Sequence, residues 1–123
     1  MKRIVSVILV LGLSFSAQIV QAQWNPSKRL TWNAGNSMNP AMAIDSANTI
    51  HVVWDDHTPG TSEIYCQRST DGGATWGGTK RLTWNAGTST SSAIAIDSVN
   101  TIHVVWQDDT LGKYEIYYRN GKY

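Results

Sequence analysis

Residues 28–68 align with residues 80–120 without a gap, and 27 of the 41 positions are identical at a constant offset of 52. A duplication this close restricts the fold to one in which a single supersecondary unit is stacked on its own copy. Each copy reads KRLTWNAG, then an Ala-rich segment (AMAID or AIAID), then NTIHVVW, an acidic loop, and EIYC or EIYY. No stretch carries the apolar period of a helix.

β-Branched and aromatic residues between turn signals predict strands at 41–45, 49–55, 63–69 and 80–84, the first three recurring at 93–97, 101–107 and 115–120. Asp45-Ser46-Ala47-Asn48 and its repeat Asp97-Ser98-Val99-Asn100 are rich in side chains that bond their own backbone, and both are read as hairpin turns. In Ile50-His51-Val52-Val53-Trp54 both alternating faces are largely apolar, which suits a strand covered on both sides. A repeat of this length with four strands predicts an all-β chain of two tandem four-stranded antiparallel β-propeller blades, copy one at 28–79 and copy two at 80–123. The small residues Ala41, Ala43, Ala93 and Ala95 fit the crowded innermost strands. The competing architecture is a β-sandwich of about seven short strands.

Lys2 and Arg3 precede an apolar run from Ile4 to Leu13, and Val20-Gln21-Ala22 supplies a small-residue site. This is the pattern of a secretory signal peptide over residues 1–22. Cleavage after Ala22 is expected, with a secreted or periplasmic chain beginning at Gln23 and no membrane attachment thereafter. The alternative, an uncleaved anchor, meets Ser14, Ser16 and Gln18 before the run is long enough to span. The formal net charge of +1 gives no long-range attraction to nucleic acid. The single cysteine, Cys66, has no partner for an internal disulfide. It lies in a strand pattern, its counterpart is Tyr118, and a packed thiol is expected rather than a nucleophile.

Ser69-Thr70-Asp71-Gly72-Gly73-Ala74-Thr75-Trp76 fits the pattern Ser-x-Asp-x-Gly-x-Thr-Trp, so the chain resembles the BNR/Asp-box repeats of sialidase-like β-propellers. The resemblance implies a hairpin between the third and fourth strands of a blade, in which Ser69, Asp71, Gly73, Thr75 and Trp76 are structural. Asp71 is expected to accept backbone N–H bonds, Gly73 to take a positive φ, and Trp76 to bury its ring between adjacent sheets. In the second copy Gly121, Lys122 and Tyr123 stand where Ser69, Thr70 and Asp71 stand in the first. Asp boxes in that family lie away from the catalytic centre, so the box bears on fold rather than activity.

No catalytic set can be assembled from these residues. The family's arginine triad, Tyr nucleophile with Glu, Asp acid/base and Arg-Ile-Pro signature have no counterpart: Arg29 and Arg81 are one repeat position, and Arg68 and Arg119 lie in or after the third strands. Glu63 with Tyr65, and Glu115 with Tyr117, share a strand face at i, i+2, but duplication favours a structural polar pair over nucleophile and base. Asp55-Asp56 and Asp108-Asp109 are expected to be solvated turn acids rather than a glycosidase pair. Asp55, Asp56 and His57 are replaced by Gln107, Asp108 and Asp109, so no metal site repeats and no cofactor is expected. His51 and His103 are expected to be hydrogen-bonded structural imidazoles. Trp32, Trp84, Trp54 and Trp106 could stack on sugars, although rings at fixed repeat positions serve first in packing between sheets.

Two blades leave two sheet faces uncovered. Completion is expected either from further blades of a longer chain or from other copies, KRLTW at 28–32 of one chain closing the blade at 93–120 of another; three chains would make a six-bladed ring. The expected role is an exported, non-catalytic binding or structural module for glycans or surface proteins. The alternative is part of a sialidase-like glycoside hydrolase whose catalytic residues lie outside residues 1–123.

Overall fold

The computed structural model describes residues 7–123; Lys2, Arg3 and the beginning of the apolar run lie outside the described residues. Residues 7–33 form no helix or strand, and no helix among the described residues is long and apolar enough to cross a membrane. The rest is all-β. The first sheet contains β1 (Ser37–Ile44), β2 (Ile50–Asp56), β3 (Glu63–Ser69) and β4 (Lys80–Arg81). The second contains β5 (Ser89–Ile96), β6 (Ile102–Asp108) and β7 (Glu115–Gly121). Each sheet is an antiparallel meander in chain order.

The two hairpin turns form as the residue types require. Asp45 accepts N–H bonds from Ala47 and Thr49 at 2.9 Å each, and Asn48 takes a φ of 61°. Asp97, Val99, Thr101 and Asn100 repeat this arrangement, with a φ of 60° at Asn100. Asparagine is tolerated in the left-handed region because its short amide can bond locally. β1 begins four residues before its predicted start. Ser37 and Met38 pair with Asp56 and Asp55, a bulge follows, and pairing resumes at Ala41. Asn39 turns the bulge at a φ of 50°, as does Ser91 at 56° in β5. The Pro40 imide, which cannot donate to a ladder, sits within this irregularity on an edge strand.

β4 is shorter than predicted for a local reason. Leu82 still donates to the Ile64 carbonyl at 2.7 Å, but the Ile64 N–H is taken by the Thr83 hydroxyl at 2.9 Å, so a side chain replaces the ladder bond.

Pleating places Val53, Ile64 and Cys66 on one face of the first sheet and Val52, Trp54, Tyr65 and Gln67 on the other. The core joins the former face to Val104 and Trp106 of the second sheet, flanked by Leu82, Ile94 and Tyr117. β5 packs against β1, β2 and β3. Equivalent parts of the two copies therefore lie side by side, and Ser46 bonds Asn100 from one hairpin turn to the next.

Candidate binding cleft

Three of the four acids expected to be solvated turn acids are not: Asp55, Asp56 and Asp108 are buried at the ends of β2 and β6, while Asp109 is half-buried. Asp56 accepts from Asn33 at 2.5 Å, Ser37 at 2.7 Å and the Thr58 N–H at 2.8 Å. Asp108 accepts from Asn85 at 2.8 Å, Ser89 at 2.7 Å and the Thr110 N–H at 2.9 Å. Burial alone would raise both carboxyls, but these bonds outweigh it, holding Asp108 below its ordinary range and Asp56 at about 2. The adjacent Gly35 and Gly87 come so near Thr58 and Thr110 that an added Cβ would lie 2.5 Å from either backbone nitrogen. This web explains why NAG and Asp-x-Thr recur. Its sequence signal, Asn and Asp 23 residues apart in both copies, did not identify the pairing in advance.

Asp55 is occupied separately by Asn39 at 2.8 Å and the Ser91 N–H at 3.2 Å, and His57 lies 3.9 Å away. Among the described residues no three His, Cys, Asp or Glu side chains converge as metal ligands would. His51 is buried against Asp45 at 3.0 Å, and His103 contacts Asp97 at 2.9 Å and the Tyr118 hydroxyl at 2.8 Å. The bond to His103 and backbone donors hold Asp97 at about 2.

Glu63 is fully buried, 2.8 Å from the Arg81 guanidinium, and accepts from the Thr83 hydroxyl. Tyr65 stacks on Trp54 instead. In the second copy Glu115 is half-buried and meets Lys113 at 2.9 Å, while Tyr117 stacks on Trp106. Neither carboxylate is aligned by a structural partner with its neighbouring tyrosine.

Residues 69–76, the segment with the Ser-x-Asp-x-Gly-x-Thr-Trp pattern, run from the end of β3 toward β4. Asp71 accepts from Ser69 at 2.8 Å and from both the N–H and hydroxyl of Thr75, at 2.8 and 2.5 Å. These bonds, the Thr75 hydroxyl first, hold its carboxyl at about 2. Ser69 receives the Gly73 N–H at 2.9 Å, and Gly73 has a φ of 89°. Trp76 departs from expectation: its ring is half-buried over its own hairpin, donating to the Gly73 carbonyl at 3.2 Å, rather than lying between the two sheets. It lines a cavity with residues 25–30 and Trp32, where Lys28 bonds the carbonyls of Gly73 and Ala74.

Of the four tryptophans considered for stacking, Trp54 and Trp106 are buried: Trp106 belongs to the core between the sheets, and Trp54 stacks on Tyr65 on the opposite face of its own sheet. Trp32 and Trp84 are exposed. Trp84 stands on a cleft of about 450 Å³ between the β4 edge and the second sheet. Val53, Ile94 and Val104 form an apolar floor; Lys80, Arg81 and Arg119 supply positive charge. The Arg81 and Arg119 guanidinium carbons lie 5.7 and 5.8 Å from the Trp84 ring centroid. Arg119 also donates to the Leu82 carbonyl at 2.6 Å, which fixes its position while leaving other donors for a ligand. Tyr123 closes one wall. Its hydroxyl lies 3.0 Å from the Cys66 sulfur, and Arg68 and Lys80 approach its ring at 4.3 and 4.7 Å. Burial pushes the Cys66 thiol up, as a packed rather than reactive cysteine requires. Sequence reasoning missed the cleft because Lys80, Arg119 and Tyr123 occupy different parts of the repeat. Comparison with protein-family models and with curated proteins finds no match for this chain.

Proposed function

We propose that this chain is an exported, non-catalytic binding module of the Asp-box β-propeller kind, and that its cleft takes an acidic glycan. The observation that carries the reading is the exposed Trp84 ring with two guanidinium groups 5.7 and 5.8 Å from its centroid, beside an apolar floor. A sugar ring presents a C–H face that stacks on indole, and a carboxylate or sulfate matches the planar fork of arginine. The blade interpretation is supported by the offset of 52, by one sheet formed largely from each copy, and by the box between β3 and β4. The leader pattern supports export, with Gln23 as the new N-terminus, which sequencing of the secreted chain would test.

The discriminating experiment is calorimetric titration of the purified chain with sialyllactose, lactose and a glucuronate oligosaccharide, repeated on Trp84→Ala. Binding of the acidic sugars alone, lost in the variant, is the expected result. Failure of every acidic sugar to bind, or binding indifferent to Trp84→Ala, would overturn the assignment of the cleft. Hydrolysis of a fluorogenic sialoside by the same preparation would overturn the non-catalytic reading.

A further inference from the structure

The sheet-to-sheet contact inside the chain is a template for a second contact that is not made among the described residues. The first sheet covers its Val53, Ile64 and Cys66 face with the second sheet. The second sheet presents the same face, 52 residues on, through Val105, Ile116 and Tyr118. Ile64 is 0% exposed and Ile116 is 76%; Cys66 is 7% and Tyr118 is 56%. The complementary surface is also bare. Ile94 of β5 packs against the inter-sheet core, whereas its counterpart Met42 of β1 is 58% exposed, and Ile44 beside it is similarly open.

The strand edges repeat this complementarity. β4 closes β3 by bringing Arg81 and Thr83 to Glu63. β7 has no such strand among the described residues, and Glu115 turns to the exposed Lys113 instead. The residues that would serve Glu115 are Arg29 and Thr31, in an identical KRLTW segment that is paired to no strand among the described residues. That segment already has the local form of the closing strand. Arg29 Nε donates to the Thr31 carbonyl at 2.6 Å, as Arg81 Nε does to Thr83 at 2.6 Å, and each arginine lies 5.7 Å over the following tryptophan. It also lies beside Gln67 on the first sheet, as residues 80–84 lie beside the equivalent Arg119 on the second.

We propose that this chain binds a second copy of itself head to tail, residues 28–31 of one copy closing the β7 edge of the next, with Arg29 and Thr31 on Glu115 and the Met42 face over Ile116 and Tyr118. The occupant is specified by identity: the segment that closes the first sheet and the segment left free have the same five residues. An unpaired edge flanked by exposed apolar side chains is ready for such pairing. The contact is heterologous, so copies add in one direction until the rotation closes a ring or continues as a filament.

The test is light scattering after size exclusion on the purified chain, with near-ultraviolet circular dichroism to report folding. The natural chain is expected to elute as a multiple of one chain, either a fixed ring or a concentration-dependent series. Arg29→Glu and Ile116→Asp, both at exposed positions, are each expected to give a folded species of single-chain mass. The double swap Arg29→Glu with Glu115→Arg reverses the ion pair across every contact and is expected to restore the natural mass. A natural chain of single-chain mass at all concentrations, or a multiple unchanged by Arg29→Glu and Ile116→Asp, would overturn the proposal. Neither outcome bears on sugar binding at Trp84, which this contact does not use.

Discussion

Asn85 donates to the buried Asp108 carboxylate at 2.8 Å, and 52 residues earlier Asn33 makes the same bond to Asp56 at 2.5 Å. In each copy the chain entering the first strand is thereby tied to the end of the second. The bond joins parts of the repeat that the β-ladder alone does not hold, and it depends on an ionised acid.

Acid should therefore loosen the fold through Asp56. Its folded value of about 2 lies below the value of about 3.9 expected for an unfolded aspartate, so the unfolded chain binds the proton first. The stabilisation is fully present above about pH 4 and disappears as pH falls to about 2. Urea unfolding is expected to show midpoints dropping through that window. Asp56→Asn should be less stable at pH 6 and show a shallower decline below pH 4.

Removing the cation from Glu63 should cost far more than breaking the surface pair of the second copy. Arg81→Ala leaves a fully buried carboxylate without its counter-charge, a change worth about 3–5 kcal/mol. Lys113→Ala, at an exposed ion pair, is expected to alter stability by about 0.5 kcal/mol or less. Denaturant midpoints of the two variants provide the comparison.

Gly35→Ala and Gly87→Ala should each destabilise by about 1–3 kcal/mol, because the new methyl meets backbone atoms of the loop after the second strand and cannot be relieved by a rotamer change. Gly78→Ala, where nothing lies within 4 Å, is the control and should be close to neutral. Thermal unfolding of the three variants checks the contrast.

Trp106→Ala should cost about 3–5 kcal/mol as a core truncation, detectable in denaturant midpoints. Trp84→Ala should change stability by about 0.5 kcal/mol or less, since its ring is exposed. The two rings occupy different positions of the repeat, Trp84 being the counterpart of Trp32 and Trp106 that of Trp54, and stability separates them before any ligand is tested.

The sequence was most informative where the repeat and the backbone agree. β3 has its predicted bounds, and both Asp-x-x-Asn turns form where side chains that bond their own backbone were noted. Strand starts were less legible, because the bulges at Asn39 and Ser91 allow pairing to continue through polar, proline-containing sequence that strand propensity discounts. Asp55 and Asp56 were misjudged because neighbouring acids read as solvent-facing; their burial depends on Asn33 and Asn39, which reach them only after β1 folds back. The Trp84 cleft was legible only in part: the ring was a candidate, but Arg119 comes to it from another sheet, replacing Gln67 at one of the positions where the copies differ.

Cys66 gives that asymmetry a chemical consequence. Its thiol sits beneath Tyr123, a residue distant in sequence and carried past the end of β7. The shield is supplied by the far part of the chain, not by the strand that holds the sulfur. Tyr123→Ser would leave both sheets in place while opening the sulfur to alkylating reagents and to mixed disulfides with small thiols. The rate at which the folded chain is labelled thus reports how tightly residues 121–123 lie over the first sheet.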